Sequence, residues 1–193
     1  MYKMVVTPDS RLLEIAAPVT KFDKKLKDIL SEMSQTLDAT TDPVGVGLAA
    51  PQVGIQKRIF LAKPTPTGKT HVFINPRIIQ ESANEEVPSF TNSQKVEKRK
   101  PAKSKGKLLE GCLSIPNIWG NVGRKKEVKV AWQDAQGELH EAHFKGFPAI
   151  IIQHEIDHLN GILFTKHVLE QKEQLYRSYK NENGEDEFEE IEV

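Results

Sequence analysis

Cysteine is almost absent from this chain, long apolar runs are missing altogether, and neither sign of charge is in excess. Each shortage removes a class of protein. A single cysteine, Cys112, among 193 residues excludes an internal disulfide and leaves one thiol to be structural, reactive or a ligand. Apolar runs extend no further than Ala149-Ile150-Ile151-Ile152, far short of the roughly 20 residues that a bilayer span needs. Residues 1–8 lack the apolar stretch of a secretory signal, so a cytoplasmic location and no membrane partner are expected. With 27 basic against 27 acidic residues the chain has no excess charge to hold a polyanion, and no specific DNA contact is expected. What is present, 38% hydrophobic and 28% charged residues, is the make-up of a soluble globular protein of one domain.

Periodicity supplies the elements. Thr7-Pro8-Asp9-Ser10 caps a first helical turn. From Lys24 the apolar positions Leu26, Leu30, Met33 and Leu37 share one stripe of an amphipathic helix. Asp23 is its N-cap, and it ends before Asp42-Pro43, because a residue ahead of proline avoids the α region. Residues 45–54, with three glycines and a proline, fit neither a long helix nor a regular strand. Short strands are expected at 58–62, 71–74 and 76–80, with Asn75-Pro76 separating the last two. Val128, Val130 and Trp132 alternate with polar or small residues, Asp134-Ala135-Gln136-Gly137 turns the chain, and residues 139–144 return as a hairpin.

Residues 147–161 read as a helix, with Pro148 in its first turn and Gly161 as its stop, and apolar residues all round its first turns bury it. A last helix is expected over 168–179. Residues 82–109 turn strongly basic from Lys95 to Lys107 and read as an exposed, mobile insertion, and the acidic residues 181–193 as a frayed tail. The fold class is α+β: small antiparallel or mixed sheets around a buried central helix, with an N-terminal amphipathic helix and a C-terminal helix.

The chemistry concentrates on that central helix, in His154-Glu155-Ile156-Asp157-His158. Residues four apart on an α-helix lie on one face, so both imidazoles can reach a single ion, with Glu155 beside it to handle a proton. The third ligand is open on spacing alone. Phe164 stands where one protease class carries a third histidine, which excludes that class. Glu173 and Glu182 lie downstream, where another class takes a glutamate. Cys112, in Glu110-Gly111-Cys112-Leu113-Ser114, would complete a His-His-Cys set with one position left for water, a catalytic rather than a structural arrangement.

Three segments together resemble the motifs of peptide deformylases: Gly45-Val46-Gly47-Leu48-Ala49-Ala50-Pro51-Gln52, Glu110-Gly111-Cys112-Leu113-Ser114 and Gln153-His154-Glu155-Ile156-Asp157-His158. The likeness spans most of residues 5–168 and extends to Pro8-Asp9-Ser10-Arg11-Leu12 and Phe22-Asp23. It implies one catalytic domain over residues 1–180 that removes the formyl group from N-formylmethionine on nascent polypeptides. It also implies one divalent metal on Cys112, His154 and His158, ferrous iron in the cell, with zinc, nickel or cobalt able to replace it in a purified sample. By the same likeness, a metal-bound water would attack the formyl carbon with Glu155 as general base and then acid, while the Gln52 side chain and the Leu113 backbone N–H would donate to the developing oxyanion.

Further expectations follow from the same likeness. Gly47 and Gly111 border the substrate backbone, and Val46, Phe147, Ile150 and Ile151 form the methionine pocket. Glu110 and Arg124 pair to steady the cysteine segment. Trp119 replaces an arginine common in the family, which suggests an aromatic contact with the substrate chain beyond methionine. Ribosome contact is expected to be transient, through the lysine-rich segment rather than the acidic tail. Two other readings stay open: a zinc peptidase using a downstream glutamate, and a silent relative that binds nascent chains without chemistry.

Overall fold

The computed structural model describes residues 1–65, 68–86 and 108–192. In chain order the elements are α1 (Lys24–Asp38), β1 (Gly47–Ala49), β2 (Ile59–Ala62), β3 (His71–Glu81), β4 (Glu85–Glu86), β5 (Glu110–Cys112), β6 (Ile115–Gly120), β7 (Arg124–Lys125), β8 (Glu127–Gln133), β9 (Leu139–Lys145), α2 (Phe147–Leu159), α3 (Phe164–Glu170), β10 (Leu175–Lys180) and β11 (Asp186–Ile191). The strands form a five-stranded sheet in the order β1-β2-β3-β8-β9, a four-stranded sheet β11-β10-β6-β5, and the pair β4-β7. The α+β class is as the patterning implies.

Local chemistry explains the boundaries. Asp23 Oδ1 accepts from the Leu26 N–H at 3.1 Å, capping α1, and Leu26, Leu30, Met33 and Leu37 are its buried stripe. Asp9 likewise accepts from the Arg11 N–H and caps a 3₁₀ turn, Ser10–Leu13. The glycine-rich segment divides into the three-residue β1 and a second 3₁₀ turn, Ala50–Val53, which Gly54 closes at φ 79°. Helix α2 is buried nearly all round, through Ala149, Ile150, Ile151, Ile152, Ile156 and Leu159, and packs on β1, β2, β7 and β9. Gly161 ends it at φ 69°, a left-handed conformation that glycine takes without strain.

Three expectations need correction. Asn75-Pro76 does not separate two strands: β3 runs through it with a register shift, and Asn75 takes φ 51°. The Asn75 side chain replaces the lost ladder bonds, accepting from the Val19 N–H at 2.8 Å and donating to Val19 O and Gln133 Oε1. The last helix is α3, which ends at Glu170, and the chain then turns through Lys172 at φ 54° into β10. The acidic tail is not frayed. Residues 186–191 form β11, fully paired with β10 after a turn in which the Asn181 N–H donates to Glu185 O and Gly184 has φ 75°. Phe188 packs against Trp119 on one face of the strand and Ile191 against the cluster around Leu175 on the other, while Glu187, Glu189 and Glu190 stay exposed, so charge density and order coexist. The basic residues from Lys95 to Lys107 lie outside the described residues.

Candidate metal centre

Because α2 packs against β1 and its neighbours on one side and faces the β5–β6 sheet on the other, its histidines meet the cysteine strand. Cys112 Sγ and one ring nitrogen each of His154 and His158 lie within 4.8 Å of one another. Sγ approaches His158 Nε2 to 3.2 Å. Donors bonded to one tetrahedral ion stand about 3.3–3.8 Å apart, so this spacing suits a single ion. Among the described residues neither Glu173 nor Glu182 joins such a cluster, which removes the downstream-glutamate arrangement.

The electrostatics favour a thiolate at Cys112 and, against the effect of burial, a protonated His154, from which an ion would displace a proton. Burial alone would raise the Cys112 thiol, but the His158 charge and hydrogen bonds from both imidazoles outweigh it and hold the thiol well below its ordinary range. His154 Nδ1 lies 3.1 Å from Glu110 Oε2, which fixes the ring and leaves Nε2 for an ion. Glu110 is itself held by Arg124, Nε to Oε1 at 2.7 Å and Nη2 to Oε2 at 2.8 Å. Burial pushes the Glu110 carboxyl up, yet the Arg124 charge prevails and keeps it at about 2.

Glu155 sits differently. It is 3% exposed, its Oε2 has no hydrogen-bond partner, and burial raises its carboxyl to about 7 against the opposing pull of the two histidines. Glycine at position 47 makes room for this side chain: a Cβ there would stand 2.7 Å from the Glu155 carboxyl carbon. Gln52 is also buried. Its Oε1 accepts from the Ala49 N–H at 2.8 Å, which turns Nε2 toward Cys112 Sγ (3.4 Å) and Ser114 Oγ (3.3 Å).

Comparison with known proteins decides the family. A family model described as polypeptide deformylase matches residues 1–174. The chain belongs to the polypeptide deformylase family. The peptide deformylase of Thermotoga neapolitana is 38% identical over 177 residues, covering 92% of this chain and 93% of that protein. The one from Novosphingobium aromaticivorans is 33% identical over 188 residues, covering 86% and 88%. Among solved structures, the Thermotoga maritima peptide deformylase superposes with a TM-score of 0.71 at 36% identity, covering 86% of this chain and 97% of that one. The Synechococcus elongatus peptide deformylase in complex with actinonin gives 0.70 at 32% identity, covering 86% and 78%. Deformylases are metal-dependent hydrolases that release the formyl group from N-formylmethionine on nascent polypeptides, and this chain is an enzyme of that kind.

The residues expected to form the methionine pocket are distributed between core and rim. Ile151 belongs to the main core, with Val46 and Phe147 partly buried against it, and Ile150 is 7% exposed. None of the four lines the cavity of about 420 Å³ that opens beside Cys112 and Leu113. Gly111 lies under the Trp119 ring, where a Cβ would stand 2.6 Å from the indole. Sequence reasoning missed Asp157, His167 and Ser114. Asp157 Oδ2 accepts from Arg124 Nη1 at 2.6 Å and lies 2.9 Å from His167 Nε2, extending the Glu110–Arg124 pair across to α3. The signal was present in Asp157, three positions after His154 and so on the same helical face.

Proposed function

We propose that Cys112, His154 and His158 hold one divalent ion, ferrous iron in the cell, and that Glu155 moves the protons of formyl hydrolysis beside it. The observation that carries this reading is the buried Glu155 carboxylate, with Oε2 unpartnered, on the same helix as both histidines. A bound ion supplies Lewis acidity, lowering the pKa of a water and drawing charge from the formyl oxygen. Glu155 takes a proton from the attacking water and delivers it to the amine nitrogen as the C–N bond breaks, leaving formate and a free N-terminus. A carboxyl titrating near 7 suits both halves of that exchange.

Gln52 Nε2 and the Leu113 N–H donate to the oxyanion, and the Ala49 N–H keeps the Gln52 amide oriented for this. Glu110, steadied by Arg124, positions His154. Gly47 and Gly111 border the peptide backbone, and Val46, Phe147, Ile150 and Ile151 contribute apolar surface for the methionine side chain. Residues 1–180 act as one catalytic unit. Zinc, nickel and cobalt bind such a donor set more tightly than ferrous ion and can replace it in a purified sample. An unpaired thiol kept as a ligand suits a reducing cytoplasm. Contact with the ribosome is transient and uses the lysines between Lys95 and Lys107; neutralising them should weaken ribosome affinity, and unchanged affinity would remove this element.

The reading is tested by formate release from formyl-Met-Ala-Ser, with metal content measured on the same sample. Glu155→Ala should abolish release, by about 10²–10⁴-fold, while metal stays bound. A folded, nickel-loaded protein that releases no formate would refute it.

A further inference from the structure

The family match stops at residue 174, yet the chain continues into the β10–β11 hairpin, and this hairpin builds one wall of the cavity beside the metal centre. The cavity begins at Cys112 and Leu113, runs over Ile115 and Ile118 to Trp119, and ends against Ser178, Lys180 and Phe188. At about 420 Å³ it is in the size range of small-ligand sites.

We propose that Trp119 and the C-terminal hairpin form the binding site for the peptide residues that follow the formyl-methionine, selecting a large apolar or aromatic side chain. The inference rests on the deformylase reading and adds to it a specificity device that lies largely beyond the family match. Continuity is the first support: one cavity runs from Cys112 and Leu113, beside the candidate metal ligands, to Trp119 and the hairpin. Rigidity is the second. Ser178 and Phe188 are directly opposed partners across β10 and β11, and both touch Trp119. The indole N–H donates to Ser178 Oγ at 3.0 Å, and the Phe188 ring meets the indole edge-on at a centroid distance of 6.0 Å. Gly111 on β5, opposite Trp119 in the ladder, leaves room for the indole to lie over the cysteine strand.

The third support is closure. Lys180, two positions after Ser178 and on the same face, pairs with Asp186 at 2.8 Å and reaches Asp42 at 3.5 Å. Asp42 and Pro43 lead into the β1 segment, so this contact ties the hairpin to the opposite lip of the groove. The result is an aromatic floor with polar ends, which suits an extended peptide carrying an apolar side chain between polar backbone groups.

The test compares kcat/KM for formyl-Met-Phe-Ser with that for formyl-Met-Ala-Ser on one nickel-loaded preparation, so that the ratio cancels differences in folding and metal loading. The wild-type chain should prefer the phenylalanine peptide on the order of tenfold. Phe188→Ala, Ser178→Ala and Trp119→Ala should each bring the ratio toward one, with the change chiefly in KM, and Phe188→Tyr should restore it. A wild-type ratio near one, or a preference that survives Phe188→Ala and Trp119→Ala, overturns the proposal while leaving deformylation intact. Absence of formate from both peptides would instead take down the deformylase reading together with it.

Discussion

A single missing methyl group decides the geometry at residue 47. The family likeness places Gly47 beside the substrate backbone, and the structure adds a nearer neighbour, the Glu155 side chain, whose Cγ would stand 3.0 Å from a Cβ. Either the carboxylate or β1 must then give way in Gly47→Ala. Displacing a proton-transfer group by a fraction of an ångström to an ångström costs up to roughly 10²-fold in rate, whereas crowding a packed core costs about 1–3 kcal/mol. Gly47→Ala should therefore fold, retain metal, and lose one to two orders of magnitude in kcat for formyl-Met-Ala-Ser. A variant with full kcat and lowered stability alone would mean that β1 moved and Glu155 did not. Gln52 makes a complementary case. Removing one donor to an oxyanion costs about 10²–10³-fold in kcat, so Gln52→Ala should lose that much with little change in KM. A loss confined to KM would show an amide that only orders the 3₁₀ turn.

At the scale of elements, the helix that carries the site was legible and the edges around it were not. H-E-x-x-H announces a helix because the chemistry needs the i, i+4 spacing, and the apolar run before it announces burial. Asn75-Pro76 misleads because the compensating bonds come from Val19 and Gln133, distant in sequence. Residues 186–191 mislead because four of the six are acidic and the two apolar ones, Phe188 and Ile191, are three apart and show no strand period, while the partners Trp119 and Tyr179 decide the outcome. The Glu110–Arg124–Asp157 chain, joining β5, β7 and α2, shows the same dependence on non-local contacts.

Its energetics are testable. Glu110 titrates at about 2 when folded, below its ordinary 4.5, so it stabilises the fold above about pH 4.5, and that stabilisation is lost as pH falls toward 2. Glu110→Gln removes this contribution and leaves Arg124 only Asp157 as a charged partner among these groups. Breaking a buried pair of this kind costs about 3–5 kcal/mol. Urea midpoints at pH 7 should fall accordingly, and the variant should lose less stability than the wild type between pH 4.5 and 2. Parallel pH curves would mean that the carboxyl is not ionised in the folded protein.

For the molecule as a whole, the three proposed metal ligands come from separate layers: Cys112 from the four-stranded sheet, His154 and His158 from the helix that packs against the five-stranded one. An ion held by all three clamps these layers together, and its binding energy becomes folding energy. With free nickel at about a thousand times its Kd the gain is about 4 kcal/mol, which for a chain of this size corresponds to roughly 10 °C in Tm. Chelation should lower Tm by that amount and readdition should restore it. Cys112→Ala removes a ligand from the sheet side only, so its two histidines still bind metal but no longer join the layers, and its Tm should respond little to nickel. If Cys112→Ala gained as much Tm from nickel as the wild type, the thiolate would not be a ligand, and the clamp would have to be sought within α2 alone.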